Sequence, residues 1–262
     1  MWDTFILEPM VNSLLFLYQL LFHNFTLAIL VFTLLIRLIT FPLTYQQQKA
    51  TKKMTQLTQS DEYKRVQEKY AKDKEKLAQE QMKLYKEAGV NPLGGCLPLF
   101  VQIPIMGGLY AALTLTMAAS PMQLFYLSQI HYSFLPSLAS LIPIDNHFLW
   151  LNLGLRDPYY IIPIFVVATT WIQSKVMTPP SADPQAAQMS QSMAVTMPLM
   201  IGWFSLQVAS GLSIYWIVGN ILSVVQYALM PGMKINWKNV LSFRGPATPA
   251  PTRAQKKKST RA

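Results

Sequence analysis

Apolar residues run in blocks of about 20 near 25–45, 97–117, 158–176, 190–208 and 212–230, the length needed for a helix to cross a bilayer's hydrocarbon core. Five such blocks predict an all-α polytopic membrane protein, with the first span and its exit ending at residue 46. Only VASGLS separates the last two, which predicts a tight helical hairpin with Gly211 permitting the turn.

Between the first two blocks the pattern changes. Residues 47–95 contain no proline before Pro92 and no glycine before Gly89, and helix-forming polar residues surround a thin apolar seam of Met54, Leu57, Val66, Tyr70, Leu77 and Leu84. A stretch that long is not a loop. It predicts a cytoplasmic helical hairpin turning near Ala71 to Lys74. Residues 1–24 hold an apolar run that could be a secretory signal or a sixth span, but Asp3, Glu8, Pro9 and the lack of a basic start suit an amphipathic helix in the outer interface better. The external stretch 118–157 has room for a short interfacial helix, and the tail from 231 to 262 loses apolar periodicity.

Charge supplies orientation. The chain is 52% hydrophobic and 13% charged with a formal net charge of +10, too apolar and too basic for an ordinary soluble domain. Of its 22 Lys and Arg, eleven lie in 47–95 and eight in 231–262, whereas 1–24 and 118–157 hold only Arg156. Basic residues stay on the cytoplasmic side, so the N-terminus is expected outside and the C-terminus inside. Arg253, Lys256, Lys257, Lys258 and Arg261 close the chain. They suit contact with ribosomal RNA or anionic lipid, and a plain inside anchor accounts for them nearly as well.

A search for catalysis finds little. His23, His131 and His147 show no metal-ligand spacing, Cys96 is the only cysteine, and no phosphate-binding glycine loop occurs. Ser205, Ser210 and Ser213 have no histidine or basic residue in their spans to activate them. No enzyme, cofactor or metal is expected.

The first block carries the outstanding feature, the sequence LIRLITFPLT. Thr26, Thr33, Arg37, Thr40 and Thr44 are spaced by 7, 4, 3 and 4, which places all five on one stripe of a helix. An arginine at the centre of a bilayer costs roughly 2.5 to 3.5 kcal/mol on insertion scales. The five blocks contain no Asp or Glu, so an internal ion pair is ruled out and a hydrated cavity is the better reading. Gln102, Thr169, Gln173, Ser213, Trp216 and Asn220 are polar or amphipathic groups suited to the same cavity, although each alone reads as interhelical glue. Met189, Met193, Met197 and Met200 form a stripe that serves either as core packing or as an adaptable surface for apolar clients. An anion transporter using Arg37 is the second reading, weakened by the lack of an internal repeat. A membrane scaffold that recruits ribosomes is the third.

LIRLITFPLT, KLYKEAGVNPLGGCLPLFVQIPIMGGLYAAL, DPYYIIPI with IQSKVMTP, and VASGLSIYWIVGN together resemble the YidC membrane protein insertase family, collinearly from about Trp2 to Met230. The chain resembles the short bacterial form, without a large external domain. The resemblance implies a five-helix core around a hydrophilic groove open to cytoplasm and lipid and closed to the outside. It matches the groove arginine to Arg37, a polar position one turn earlier to Thr33, and further groove positions to Gln173 and Trp216. Where the family pattern often reads PSGL, this chain reads ASGL with Ala209, which touches only the local turn. The partners it implies are nascent membrane proteins, with the ribosome, a Sec-type translocon and anionic lipids as further expectations, and the location is the bacterial plasma membrane.

Overall fold

The computed structural model describes residues 2–71, 73–90, 97–117, 120–133, 135, 141, 144–177, 184–231 and 235. Cys96 and the basic residues from Arg253 to Arg261 lie outside them.

A π turn over Asp3–Leu7 leads into α1 (Glu8–Leu20). Pro9 withholds its N–H from the ladder there, and the Glu8 N–H reaches back five residues to the Asp3 carbonyl. One face of α1 is fully enclosed, with Val11, Leu14 and Leu15 in the core against α2 (Phe25–Ile39) and α6 (Leu97–Thr116). Asn12 ties the helix to the end of α7 (Pro121–Ile130) and the residues after it, donating to the Ile130 carbonyl at 2.8 Å and accepting the Tyr132 N–H at 2.8 Å. The chain over 3–20 is helical, and the apolar side of α1 packs against the helical core.

The first apolar block is not one straight helix. It stops at Thr40 and resumes as α3 (Phe41–Gln59), bent by 58°. Pro42 sits in the first turn of α3, where its absent N–H breaks the ladder. Helix α4 (Asp61–Lys69) and α5 (Lys74–Glu87) complete the polar arm, with Ser60 and Asp73 as N-caps. The turn between α4 and α5 falls where the sequence placed it, and buried Tyr63 meets Tyr85 at 3.1 Å between hydroxyls. The additional break at Ser60, whose side chain accepts the Tyr63 N–H, divides the first arm of the hairpin.

Beyond α6, a short helix α7 (Pro121–Ile130) begins with a Ser120–Gln123 capping box. It turns away from Val101–Thr116 by 118°. A two-stranded hairpin follows, β1 (His147–Phe148) paired antiparallel with β2 (Leu151–Asn152). Then come α8 (Ile161–Met177), α9 (Pro184–Ser205) and α10 (Ser210–Leu229). Helix α8 packs on both α9 and α10, and α10 also packs on α2 and α6.

Ser210–Leu229 is long and apolar enough to cross a membrane by itself, at a mean hydropathy of 1.5. Two bent pairs pass the same test when each is taken as one span, and Ile161–Met177 is a shorter apolar helix.

Gly211 has a different role from the one expected. The chain reverses over residues 206–209, and Gly211 lies inside the first turn of α10. A Cβ there would come within 3.0 Å of the Leu153 carbonyl oxygen, to which the Gly211 N–H donates at 3.0 Å. The missing side chain lets the stretch after the β1–β2 hairpin close on α10.

Gly202 on α9 is a comparable contact, since a Cβ there would fall on Val167 Cγ2 of α8. Gly202→Val is expected to overpack this seam and lower stability by about 1–3 kcal/mol. Thermal melting of the purified protein checks this, and Val167→Ala in the same background should recover part of the loss.

Candidate functional site

Apart from Thr40 and Thr44, the polar residues singled out in the sequence around Arg37 fall on α2, α6, α8 and α10. Arg37 comes from the last turn of α2 and lays its guanidinium against α10 at Gly219. A Cβ on Gly219 would stand 3.0 Å from Arg37 Nη2, so the guanidinium occupies the space a side chain would fill. Among the described residues no carboxylate comes within ion-pair distance of it; the four ion pairs found there are Lys64–Asp61, Lys76–Asp73, Lys83–Glu80 and His147–Asp145.

One turn before Gly219, buried Tyr215 accepts a hydrogen bond at its hydroxyl from Gln102 Nε2 of α6 at 3.2 Å. The same tyrosine lies within electrostatic reach of Arg37. Arg37, Tyr215 and Gln102 thus link α2, α10 and α6. On the α8 side, Asn220 is buried and donates to Thr169 Oγ1 at 3.2 Å and to Thr170 Oγ1 at 2.8 Å. Gln173, one turn further along α8, is partly exposed. Trp216 is also partly exposed and packs edge-on against Phe204, ring centroids 6.2 Å apart.

The stripe on α2 splits into two kinds of residue. Thr33 is fully enclosed and its hydroxyl donates to the Ile29 carbonyl at 2.6 Å, so it lies one turn from Arg37 with its proton already committed. Thr40 likewise bonds to the Ile36 carbonyl at 2.8 Å, and Thr44 belongs to α3 beyond the bend. Buried Thr26 Oγ1 has no partner among the described residues. On α9, Met193, Met197 and Met200 are exposed, while the side chain of Met189 lies outside the described residues. Ser205 and Ser213 bond to each other at 2.8 Å, which ties α9 to α10.

Tyr215, Gly219 and Thr170 were missed in the sequence. For Tyr215 and Gly219 the signal was their spacing in SIYWIVGN, where they share a face four residues apart, but Trp216 and Asn220 stood out because of their side chains.

The end of the bundle at the start of α10 is knitted together by hydrogen bonds to backbone carbonyls. The Ser210 N–H donates to the Leu155 carbonyl at 2.7 Å, Ser210 Oγ to the Asn152 carbonyl at 2.8 Å, and Arg156 Nε to the Gln207 carbonyl at 3.0 Å. Asp157 accepts N–H groups from Ile162 and Tyr159 and the Trp150 indole. Burial opposes its ionisation, yet these donors outweigh it and hold its carboxyl below the usual carboxylate range.

The family model described as 60Kd inner membrane protein matches residues 16–236. Membrane protein insertase MisCA of Bacillus subtilis is 34% identical over 238 residues, covering 89% of this chain and 80% of that protein. Membrane protein insertase YidC 2 of Bacillus anthracis is 37% identical over 239 residues, covering 89% and 82%. Longer relatives exist as well: the YidC insertase of Syntrophus aciditrophicus is 38% identical over 226 residues, which are 86% of this chain but 36% of that protein. In fold, the chain is similar to a crystal structure of an active YidC insertase with its first transmembrane domain resolved, at a TM-score of 0.58 and 24% identity over 88% of this chain and 47% of that one. A match that spans the helices around Arg37 and reaches most of the length of two relatives leaves one assignment: the chain belongs to the 60Kd inner membrane protein family, that of the YidC-type membrane protein insertases.

Proposed function

We propose that the protein receives nascent apolar segments beside Arg37, in a polar groove open to the cytoplasm and to lipid, and releases them sideways into the bilayer. The observation that carries this is a guanidinium seated on Gly219 between α2 and α10, beside the Tyr215–Gln102 pair and without a carboxylate partner among the described residues.

The energetics divide the work. An apolar segment of about 20 residues already favours lipid, since Leu, Ile, Phe and Val each contribute roughly −0.3 to −0.6 kcal/mol at a helix centre. That step needs no fuel. The barrier is the polar flank, because each charged group costs about 2.5 to 3.5 kcal/mol at mid-membrane. A wet groove shortens that path, Arg37 attracts acidic residues of the flank, and Thr33, Gln102, Gln173, Trp216 and Asn220 line or brace the route. Exposed Met193, Met197 and Met200, with Met189 on the same stripe, offer unbranched side chains to varied apolar clients. Reconstitution into liposomes tests the reading: the purified protein should integrate a single-span client, and failure to do so while moving a small anion would replace insertion with transport.

Five spans with the N-terminus outside and the C-terminus inside fit this route. The hydrogen bonds that join α1 to the stretch after α7 support placing residues 1–24 and 118–157 on one side. In a cysteine-free background, a cysteine at Leu149 should react with an impermeant thiol reagent in intact cells and one at Lys76 should not. The reverse pattern overturns the orientation.

The ribosome is a further partner, reached through the tail that holds Arg253, Lys256, Lys257, Lys258 and Arg261. Truncation after Pro251 should weaken ribosome co-sedimentation, by less as salt rises. Unchanged binding at low salt would assign the tail to membrane anchoring. A Sec-type translocon is the remaining partner, and crosslinking in intact cells tests it.

A further inference from the structure

At the far end of α10 from the β1–β2 hairpin is a cleft that the insertion route leaves unused. One wall is a single face of α3, where Tyr45, Lys49, Lys52 and Lys53 follow at helical spacing; the other is Met230 and Pro231, just past the end of α10. Its volume is about 260 Å³. Among the described residues no carboxylate lines it, and neither α3 nor α10 contains an Asp or Glu.

We infer that this cleft binds the phosphate headgroup of an anionic phospholipid. Three ammonium groups on one face give a strong anion site, and lysine recognises phosphate as a point charge without demanding a fixed orientation. The cleft's position selects a lipid as the source of that phosphate. Leu229, the last residue of the apolar helix, is 78% exposed, and exposed Phe41 and Tyr45 stack with ring centroids 6.3 Å apart at the start of α3. The apolar end of α10 therefore faces the stretch of α3 that changes from aromatic to basic, which is where an interfacial aromatic and a headgroup belong. One turn before Met230, Gln226 keeps a buried amide nitrogen that has no partner among the described residues, an unused donor on the same side of α10. A bound headgroup would brace the root of the polar arm against α10, independently of any client in the groove.

The test uses the full chain in a zwitterionic detergent, with phosphatidylglycerol, phosphatidylcholine, inorganic phosphate and a short single-stranded RNA as separate additives. Thermal shift and native mass spectrometry are the readouts. Phosphatidylglycerol should raise the melting temperature and stay bound, whereas phosphatidylcholine and inorganic phosphate should not. Lys49, Lys52 and Lys53→Gln together should weaken phosphatidylglycerol binding by on the order of tenfold or more. The same charge change at Lys64, Lys69 and Lys76 should leave it intact, and arginine at the three cleft positions should preserve it. If the triple glutamine variant does not fold, the single K49Q, K52Q and K53Q variants replace it, and each is expected to weaken retention of the lipid.

Equal losses in both triple variants would reduce the site to diffuse charge and overturn the proposal. A full shift with inorganic phosphate would make it a free-anion site. Preferential binding of the RNA through the same three lysines would make it a nucleic-acid contact. Loss with arginine would mean that the lysines serve packing.

Discussion

Arg37→Ala is expected to reduce insertion of a client with an acidic translocated tail by on the order of tenfold or more, and to affect a neutral-tailed client far less. Tenfold corresponds to about 1.4 kcal/mol, a fraction of the roughly 2.5 to 3.5 kcal/mol that one charge costs at mid-membrane. Arg37→Lys should retain much of the activity, because the effect rests on a positive charge in a wet site. Gly219→Leu supplies an independent arm. A side chain at Gly219 must enter the space held by the guanidinium, whose Nη2 is 3.0 Å from the Cβ position, so the charge is kept while its seat is lost. Activity on the acidic-tailed client should fall here too. The measurement is insertion of both clients by the purified variants in liposomes, beside each variant's melting temperature. Equal losses for the two clients, together with a destabilised alanine variant and no recovery by lysine, would make Arg37 a structural clamp bridging α2 and α10.

Features that depend on residues close in sequence were legible before the structure. The apolar blocks beginning at residues 97 and 212 correspond to α6 and α10, and the turn of the polar arm falls between Tyr70 and Asp73. Arg37 stood out because burying a charge is expensive wherever it occurs. What the pattern of residues could not show depends on long-range approach. Pro42 was visible, but a proline in a first turn either starts a helix or breaks one, and the 58° bend at Thr40 reveals which. The β1–β2 hairpin at 147–152 has strands of two residues each, too short for alternation to register. Gly211 looked like local flexibility, and Gly219 drew no reading at all. Each instead makes room for a partner distant in sequence, the Leu153 carbonyl for one and the Arg37 guanidinium for the other. Tyr215 was hidden for a similar reason, since its hydrogen bond to Gln102 joins residues 113 apart.

Asp157→Ala is expected to give the largest loss of stability of any single change outside the spans, about 2–4 kcal/mol as a sum of lost charge-assisted hydrogen bonds and stranded buried donors. The carboxylate is 6% exposed and accepts the Ile162 N–H at 2.7 Å, the Tyr159 N–H at 3.0 Å and Trp150 Nε1 at 3.2 Å. It therefore caps the entrance of α8 and ties that entrance to the β1–β2 hairpin, which in turn is bonded to the first turn of α10 through Leu153 and Asn152. Its pH dependence has a definite sign. The unfolded carboxyl titrates at ~3.9 and the folded one lower, so the contribution is complete at neutral pH and disappears as pH falls through the folded value. Wild type and Asp157→Ala should differ most above pH ~4 and converge in stronger acid. Asp157→Asn should fall between them at neutral pH: its carbonyl oxygen keeps part of the network, while its amide opposes a backbone N–H, and it has no proton to gain. Melting temperatures of the three purified proteins across pH 7 to about 3 check this, and a constant gap between wild type and alanine over that range would show that the carboxylate's charge does not hold this cap. Because the cap serves every client alike, insertion of acidic-tailed and neutral-tailed clients should decline together in Asp157→Ala, the opposite of the selectivity expected at Arg37.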